Sequence, residues 1–156
     1  MKKKILIFST IVVIIDQLIK NIIISNFKYQ DLQYIIPNFF YITKVKNTGG
    51  AWSILSNNTN LLLIISIICT LGIIYYLYKK NNLSKLECLY FSLLVGGIIG
   101  NLVDRLFYKG IIDYIGLIFG NYYFPIFNFA DICIVCGIGL LLIDGWVGER
   151  NGTRSN

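Results

Sequence analysis

Four aspartates stand where a carboxylate is costly. Asp16, Asp104, Asp113 and Asp131 lie in or beside the apolar stretches of a 156-residue chain. Acids at membrane depth are expensive and are kept chiefly for function. Their available chemistry is specific. Two close carboxylates cannot both ionise cheaply, so they share a proton, and one serves as acid and the other as base. The base can activate a water. The acid can protonate a carbonyl oxygen or a leaving nitrogen, and the sum is peptide hydrolysis. The chain contains no histidine. That excludes Ser-His-Asp and Cys-His catalysis and argues against a zinc site. Paired carboxylates are the one catalytic device it can build without histidine or metal.

Spacing narrows the pairing without completing it. In FNFAD, Asn128 and Asp131 are three apart and share a helical face. Alone, Asp131 would read as an early-helix acid stabilised by the helix dipole. Asp113 precedes it across a segment that leaves and re-enters the membrane, so the two carboxylates can meet. Asp104 also precedes the last apolar segment, and either could be the partner. Asn101, Asp104 and Arg105 share one face, and Arg105 could reach a lipid phosphate, a peptide carbonyl or merely the interface. Asp16 and Lys20 are four apart in the favourable acid-then-base order. Burying either alone is costly, so the pair reads equally as a structural ion pair or as part of a site. Asp31, Glu87, Asp144 and Glu149 have plain structural explanations, Glu87 as a first-turn acid.

The elements that must hold these residues are membrane spans. Apolar segments run over about 5–24, 61–78, 86–107 and 127–146, each near the roughly 20 residues a helix needs to cross a bilayer. Gly96 and Gly100 form a small-xxx-small spacing that invites close helix approach. Lys2, Lys3, Lys4, Lys79, Lys80, Lys85, Arg150 and Arg154 fall on one side of a four-span arrangement, eight of the 14 basic residues. That side should be cytoplasmic, with both termini inside. The outward regions are then about 25–60 and 108–125. The first holds YIIPNFFYITKV, whose β-branched and aromatic residues around Pro37-Asn38 predict short strands. The second is read as a loop carrying Asp113. Gly49 and Gly50 predict a segment that moves over the site, and the tail GERNGTRSN predicts a frayed end.

Composition sets the class. The chain is 56% hydrophobic with a mean hydropathy of +0.67, and only 14% of residues are charged. Soluble domains carry about a quarter charged residues, so residues 1–156 are expected to form a single integral membrane domain. The net charge of +6 does not signal nucleic acid, because the basic residues cap apolar runs rather than forming a stripe. MKKKILIFSTIVVII imitates a signal peptide but lacks a small-residue cleavage site, so it reads as an uncleaved first span. Cys133 and Cys136 form a CxxC outside any thioredoxin-like context and read as packing residues. Intramembrane acids would also suit a small transporter, but no inverted repeat or second site on the inner side supports that. A purely structural subunit leaves the one-sided clustering of polar residues unexplained.

DQLIK at 16–20, NTGGAW at 47–52, GNLVDR at 100–105, IIDY at 111–114 and FNFAD at 127–131 together resemble the lipoprotein signal peptidases, the type II signal peptidase family. The resemblance runs in the family's order over nearly the whole chain. It implies a mainly α, polytopic membrane protein with four transmembrane helices and a small extracytoplasmic β-sheet cradle. It implies Asp113 and Asp131 as the catalytic pair, with Asp16, Lys20, Asn47, Asn101, Arg105 and Asn128 binding substrate or supporting the pair. Asp104 and Gly49 join the supporting set. The implied activity is removal of the signal peptide from diacylglyceryl-modified bacterial prolipoproteins, cut just before the lipidated cysteine. The implied partners are those substrates and membrane lipids, with no metal, cofactor, nucleic acid or obligate protein partner. Such an enzyme sits in the bacterial cytoplasmic membrane with its site near the outer face. One departure is Ile19, where the family commonly has threonine; it lies off the Asp16–Lys20 face. Ile68 before Cys69 is too large for Cys69 to be a lipidation site.

Overall fold

A computed structural model describes residues 1–50, 55 and 58–150. The order is α1 (Lys2–Asn26), β1 (Leu32–Ile36), β2 (Phe40–Asn47), α2 (Thr59–Lys79), α3 (Lys85–Tyr108), β3 (Ile111–Phe119), β4 (Tyr122–Tyr123) and α4 (Phe129–Arg150). The four helices are 21 to 25 residues long and apolar enough to cross a membrane. Their positions match the four predicted spans, with different ends. α1 starts earlier, taking in Lys2–Lys4, and α4 starts later, because Asn128 caps it from outside. Residues 127 and 128 therefore precede the helix.

α3 is the central helix. It packs against α1, α2 and α4, and most of its apolar stretch is buried. α2 touches the bundle through α3 and buries only Leu77. The outward faces of α1, α2 and α4 carry exposed isoleucines and leucines, as a bilayer solvent requires. Close packing around α3 comes from its small residues. A Cβ on Gly96 would stand 2.6 Å from Val12 of α1, and one on Gly100 would stand 2.6 Å from Asp16 Oδ2. The predicted small-xxx-small face thus receives α1. Gly97 does the same for α4, with Ala130 O at 2.6 Å from the missing Cβ.

The first turns of α1 and α3, the last of α2 and the C-terminal part of α4 lie at one end. Lys2 Nζ donates to Tyr78 O at 2.8 Å, and Tyr90 Oη donates to Asp144 Oδ2 at 3.3 Å. Glu87 does more than offset the dipole. Its carboxylate accepts from Ser84 N at 2.8 Å while Ser84 Oγ accepts from Glu87 N at 3.0 Å, a complete capping box. Lys80 also pairs with Glu87.

At the other end the strands form one open antiparallel sheet in the order β1-β2-β3-β4. Pro37 and Asn38 make the predicted turn between β1 and β2, with Asn38 at φ 58°. Residues 111–119, expected as loop, are instead the longest strand. The reading missed it because Asp113 and Gly116 interrupt the apolar alternation, yet both have tertiary reasons. Asp113 faces a polar cluster. Gly116 leaves room for the Tyr41 ring, which would be 2.1 Å from a Cβ there. The β2–β3 register carries one irregularity. Ile42 pairs with Ile115, but Val45 pairs with Asp113, and the adjacent Thr43 and Lys44 are both buried. This is a bulge of one extra residue in β2.

Candidate active site

The predicted polar residues meet where the C-terminal parts of α1 and α3 and the start of α4 touch β2 and β3. α4 begins there, and its first turn leaves backbone donors to satisfy. Asn128 Oδ1 accepts from Asp131 N at 3.0 Å, and Asp131 Oδ2 accepts from Asn128 N at 3.2 Å. This reciprocal cap fixes the Asp131 carboxylate at the helix start. Asp131 Oδ1 accepts from Asn101 Nδ2 of α3 at 2.8 Å. Asp113 on β3 is 3% exposed. Its Oδ1 accepts from Asn128 Nδ2 at 2.7 Å and its Oδ2 from Asn47 Nδ2 of β2 at 3.0 Å. Asn128 therefore touches both acids. Between Asp104 and Asp113, it is Asp113 that shares a cleft with Asp131.

Three amides point their donors at the two acids, and their carbonyl oxygens are held from behind. Asn47 Oδ1 accepts from Gly49 N at 2.9 Å, which gives Gly49 a role in aiming Asn47. Asn101 Oδ1 accepts from Asn128 Nδ2 at 3.2 Å and from Lys20 Nζ at 3.1 Å. Ala51 and Trp52 of the NTGGAW motif, and positions 151–156 of the tail, lie outside the described residues.

Asp16, Lys20 and Asp104 form a second layer beneath the acids. Lys20 Nζ lies 2.8 Å from Asp16 Oδ2 and 2.8 Å from Asp104 Oδ2, and all three side chains are at most 1% exposed. With Asn101, these contacts occupy all three ammonium donors. Asp16 Oδ1 accepts from Ala130 N at 3.1 Å, and Asp104 Oδ2 accepts from Ile112 N at 3.0 Å. Each carboxylate thus anchors one acid-bearing segment to the bundle. The ion pair expected from spacing is present with a third member, and none of the three lines the cleft. Two residues escaped the sequence reading. Gln17 Nε2 donates to Asp104 Oδ1 at 2.9 Å and reaches Asp16 Oδ2 and Gly100 O at 3.2 Å each. Tyr114 Oη accepts from Phe129 N at 3.1 Å. Their only signal was adjacency to Asp16 and Asp113.

A cleft of about 900 Å³ opens beside the acids. Its lining combines the polar Asn47, Asn101, Arg105, Asp113 and Asp131, with Lys46, and the apolar Phe124, Pro125, Ile126, Ile132 and Val135. Arg105 is half-buried and, among the described residues, makes one long contact, 3.5 Å from Nη1 to Ser66 Oγ of α2. Counting the whole cluster with the cleft lining, four carboxylates face three cations, Lys20, Lys46 and Arg105. That imbalance favours a retained proton. Burial first, and the neighbouring Asp131 second, push Asp113 up to about 7. Of the two CxxC thiols, Cys133 is buried and Cys136 exposed on the cleft wall, and both are free. Among the described residues no group of His, Cys, Asp and Glu is arranged to hold a metal ion.

Comparisons with known proteins show the family and the fold. The family model described as signal peptidase (SPase) II matches residues 8–147. A lipoprotein signal peptidase of Bacillus pumilus is 39% identical over 137 residues, 88% of each chain. One of Symbiobacterium thermophilum is 32% identical over 148 residues, covering 95% of this chain and 97% of its own. A bacterial membrane enzyme solved by the in meso method at 2.3 Å resolution superposes with a TM-score of 0.88 at 33% identity, over 97% of this chain and 93% of that one. A second, solved at 1.9 Å, gives 0.79 at 35% identity, over 89% and 90%. With its four-helix bundle, small open sheet and family-wide match, this chain belongs to the signal peptidase II family.

Proposed function

We propose that this protein is an aspartyl endopeptidase that removes the signal peptide from diacylglyceryl-modified prolipoproteins, cutting just before the lipidated cysteine. The observation that carries the reading is the joint hold of Asn128 on Asp113 and Asp131 at the wall of a largely apolar cleft. Family membership supports the substrate class. A single integral domain in a bacterial cytoplasmic membrane, with both termini inside and the site at the outer face, fits the basic residues at the opposite end of the bundle.

Asp113, the more deeply buried acid, holds the shared proton at neutral pH, and Asp131 is the base. Asp131 takes a proton from a water as its oxygen attacks the scissile carbonyl carbon. Asp113 gives its proton to the carbonyl oxygen. Collapse of the tetrahedral species returns a proton to the leaving nitrogen and restores the shared state. Arg105 and the donor amides Asn47 and Asn101 line the cleft where carbonyl groups of the substrate would lie. Asp16, Lys20, Asp104 and Gly49 support this arrangement without facing the substrate, and Asn128 orients both acids. The apolar wall suits acyl chains arriving by lateral diffusion.

The test is cleavage of a purified lipid-modified prolipoprotein by the detergent-solubilised protein. The expected product begins at the lipidated cysteine, the unmodified precursor is cut far more slowly, and chelators leave the rate unchanged. A cut elsewhere, or inhibition by chelator, would overturn the reading.

The proton also sets a pH dependence. Ionisation of Asp113 removes the general acid, so kcat should fall as pH rises through about 7. A pH–rate series on saturating substrate checks this, and a rate still climbing well above that pH would contradict it.

A further inference from the structure

The start of α4 is clamped from three directions. Its first four backbone donors reach four acceptor atoms on three residues. Phe129 N donates to Tyr114 Oη of β3 at 3.1 Å, Ala130 N to Asp16 Oδ1 of α1 at 3.1 Å, Asp131 N to its own cap Asn128 at 3.0 Å, and Ile132 N to Asn128 O at 3.3 Å. Tyr114 is the next residue after Asp113. Strand alternation turns its side chain away from that of Asp113. The two neighbours thus point opposite ways, one into the cleft, the other beneath the helix end that carries Asp131. The phenol is 4% exposed, its ring packs with Ile23 and Ile112, and it does not line the cleft. Backbone pairing reinforces the junction, because Tyr114 N and Ile115 N both donate to Phe127 O, at 3.1 and 2.8 Å.

We propose that the Tyr114 hydroxyl is a positioning residue that fixes the Asp113-bearing strand to the Asp131-bearing helix end and so sets the separation of the two carboxylates. The inference rests on the peptidase reading above. Hydroxyl loss leaves Phe129 N without its acceptor at a partly buried helix end. The packing of the ring is kept, so α4 can slip relative to β3 while the fold persists. Substrate contacts do not change. The effect should therefore fall on kcat rather than KM, since reaction geometry is sensitive to displacements of an ångström. A looser pair is also a more weakly coupled pair. Charged groups around this junction and its cleft are Asp16 and Lys20 from α1, Lys46 from β2, Asp104 and Arg105 from α3, Asp113 from β3 and Asp131 from α4, and Tyr114→Phe changes none of them.

The experiment compares Tyr114→Phe with wild type, Asp113→Asn and Tyr90→Phe in the full-length protein cleaving lipid-modified prolipoprotein. Tyr90 is a buried phenol at the opposite end of the bundle. Expected for Tyr114→Phe is a fall in kcat of about tenfold or more with KM within about twofold, and an alkaline limb moved to lower pH. Tyr90→Phe should keep the wild-type kcat per folded protein and the wild-type limb. If Tyr114→Phe folds poorly, Phe129→Pro removes the same hydrogen bond from the donor side, because proline fits the first helical position but lacks the N–H. The same kcat loss and limb shift are expected. Wild-type kcat and an unmoved limb in Tyr114→Phe, with Asp113→Asn inactive, overturn the positioning role and leave the peptidase reading intact. Full turnover by Asp113→Asn overturns both.

Discussion

Asp113→Asn and Asp131→Asn should each reduce prolipoprotein cleavage about ten-thousand-fold or more while the protein stays folded. General acid–base groups contribute about 10²- to 10⁴-fold each, and residues acting as a unit lose most of the effect together. Neither amide can take a proton from water, and neither can deliver one to a carbonyl oxygen. Asparagine is the informative replacement because Asp131 has two duties. Its carboxylate accepts from Asn128 N at the start of α4 and from Asn101 Nδ2. Alanine would remove the cap along with the chemistry, a loss of about 1 kcal/mol at such positions. Asparagine keeps the shape and one acceptor. Asp113 accepts from two amides, so the same reasoning holds there, with one unfavourable donor–donor contact. The checks are initial rates on lipid-modified substrate and thermal unfolding in the same detergent. Turnover at the wild-type rate in either folded variant would remove that residue from the chemistry.

Lys20→Met should be the most damaging change to stability, at about 3–5 kcal/mol, the usual loss when one partner of a buried ion pair is removed. Methionine fills similar space but leaves Asp16 and Asp104 facing each other with no cation between them. Both are fully buried. Their other partners, Ala130 N, Ile112 N and Gln17, are neutral donors. Removing all three charges, as Lys20→Met with Asp16→Asn and Asp104→Asn, should cost less than Lys20→Met alone, because no unpaired charge remains. Thermal unfolding of the single and triple variants tests the ordering. A triple variant less stable than the single one would show that the pair matters mainly through its hydrogen bonds to α4 and β3. Because Lys20 also donates to Asn101, which holds Asp131, Lys20→Met should lose activity beyond its loss of folded protein.

The legible parts of this molecule were the ones written in periodicity and charge. Four apolar runs gave four helices, and the Pro37-Asn38 turn gave the first hairpin. The pairing of Asp16 with Lys20 followed from helical spacing, since that geometry is local. Asp104 as a third partner was not legible, because the contact crosses between two helices and depends on how closely Gly100 lets α1 approach. β3 was hidden for a related reason. Asp113 and Gly116 are poor strand residues by composition, and each is explained by something distant, the Asn47–Asn128 amides and the Tyr41 ring. Gln17 and Tyr114 look like ordinary neighbours of acidic residues until the fold shows where their polar atoms end. Spacing alone left Asp104 in contention; it is Asp113 that lines the cleft with Asp131 and shares Asn128 with it.

The single extra residue in β2 has a consequence for aim. Before it, even-numbered residues of β2 lie across from odd-numbered residues of β3, as Ile42 does from Ile115; after it, odd faces odd, as Val45 does Asp113 and Asn47 does Ile111. Residues two apart on a strand share a face, so Asn47 comes out on the side of Asp113. In an uninterrupted ladder Lys46 would take that place and Asn47 would look the other way. A one-residue offset thus selects an amide over an ammonium as the partner of Asp113. Deleting either Thr43 or Lys44 would straighten the ladder yet keep Val45 across from Asp113 and Asn47 across from Ile111, because the chain beyond the bulge is already offset by that one residue.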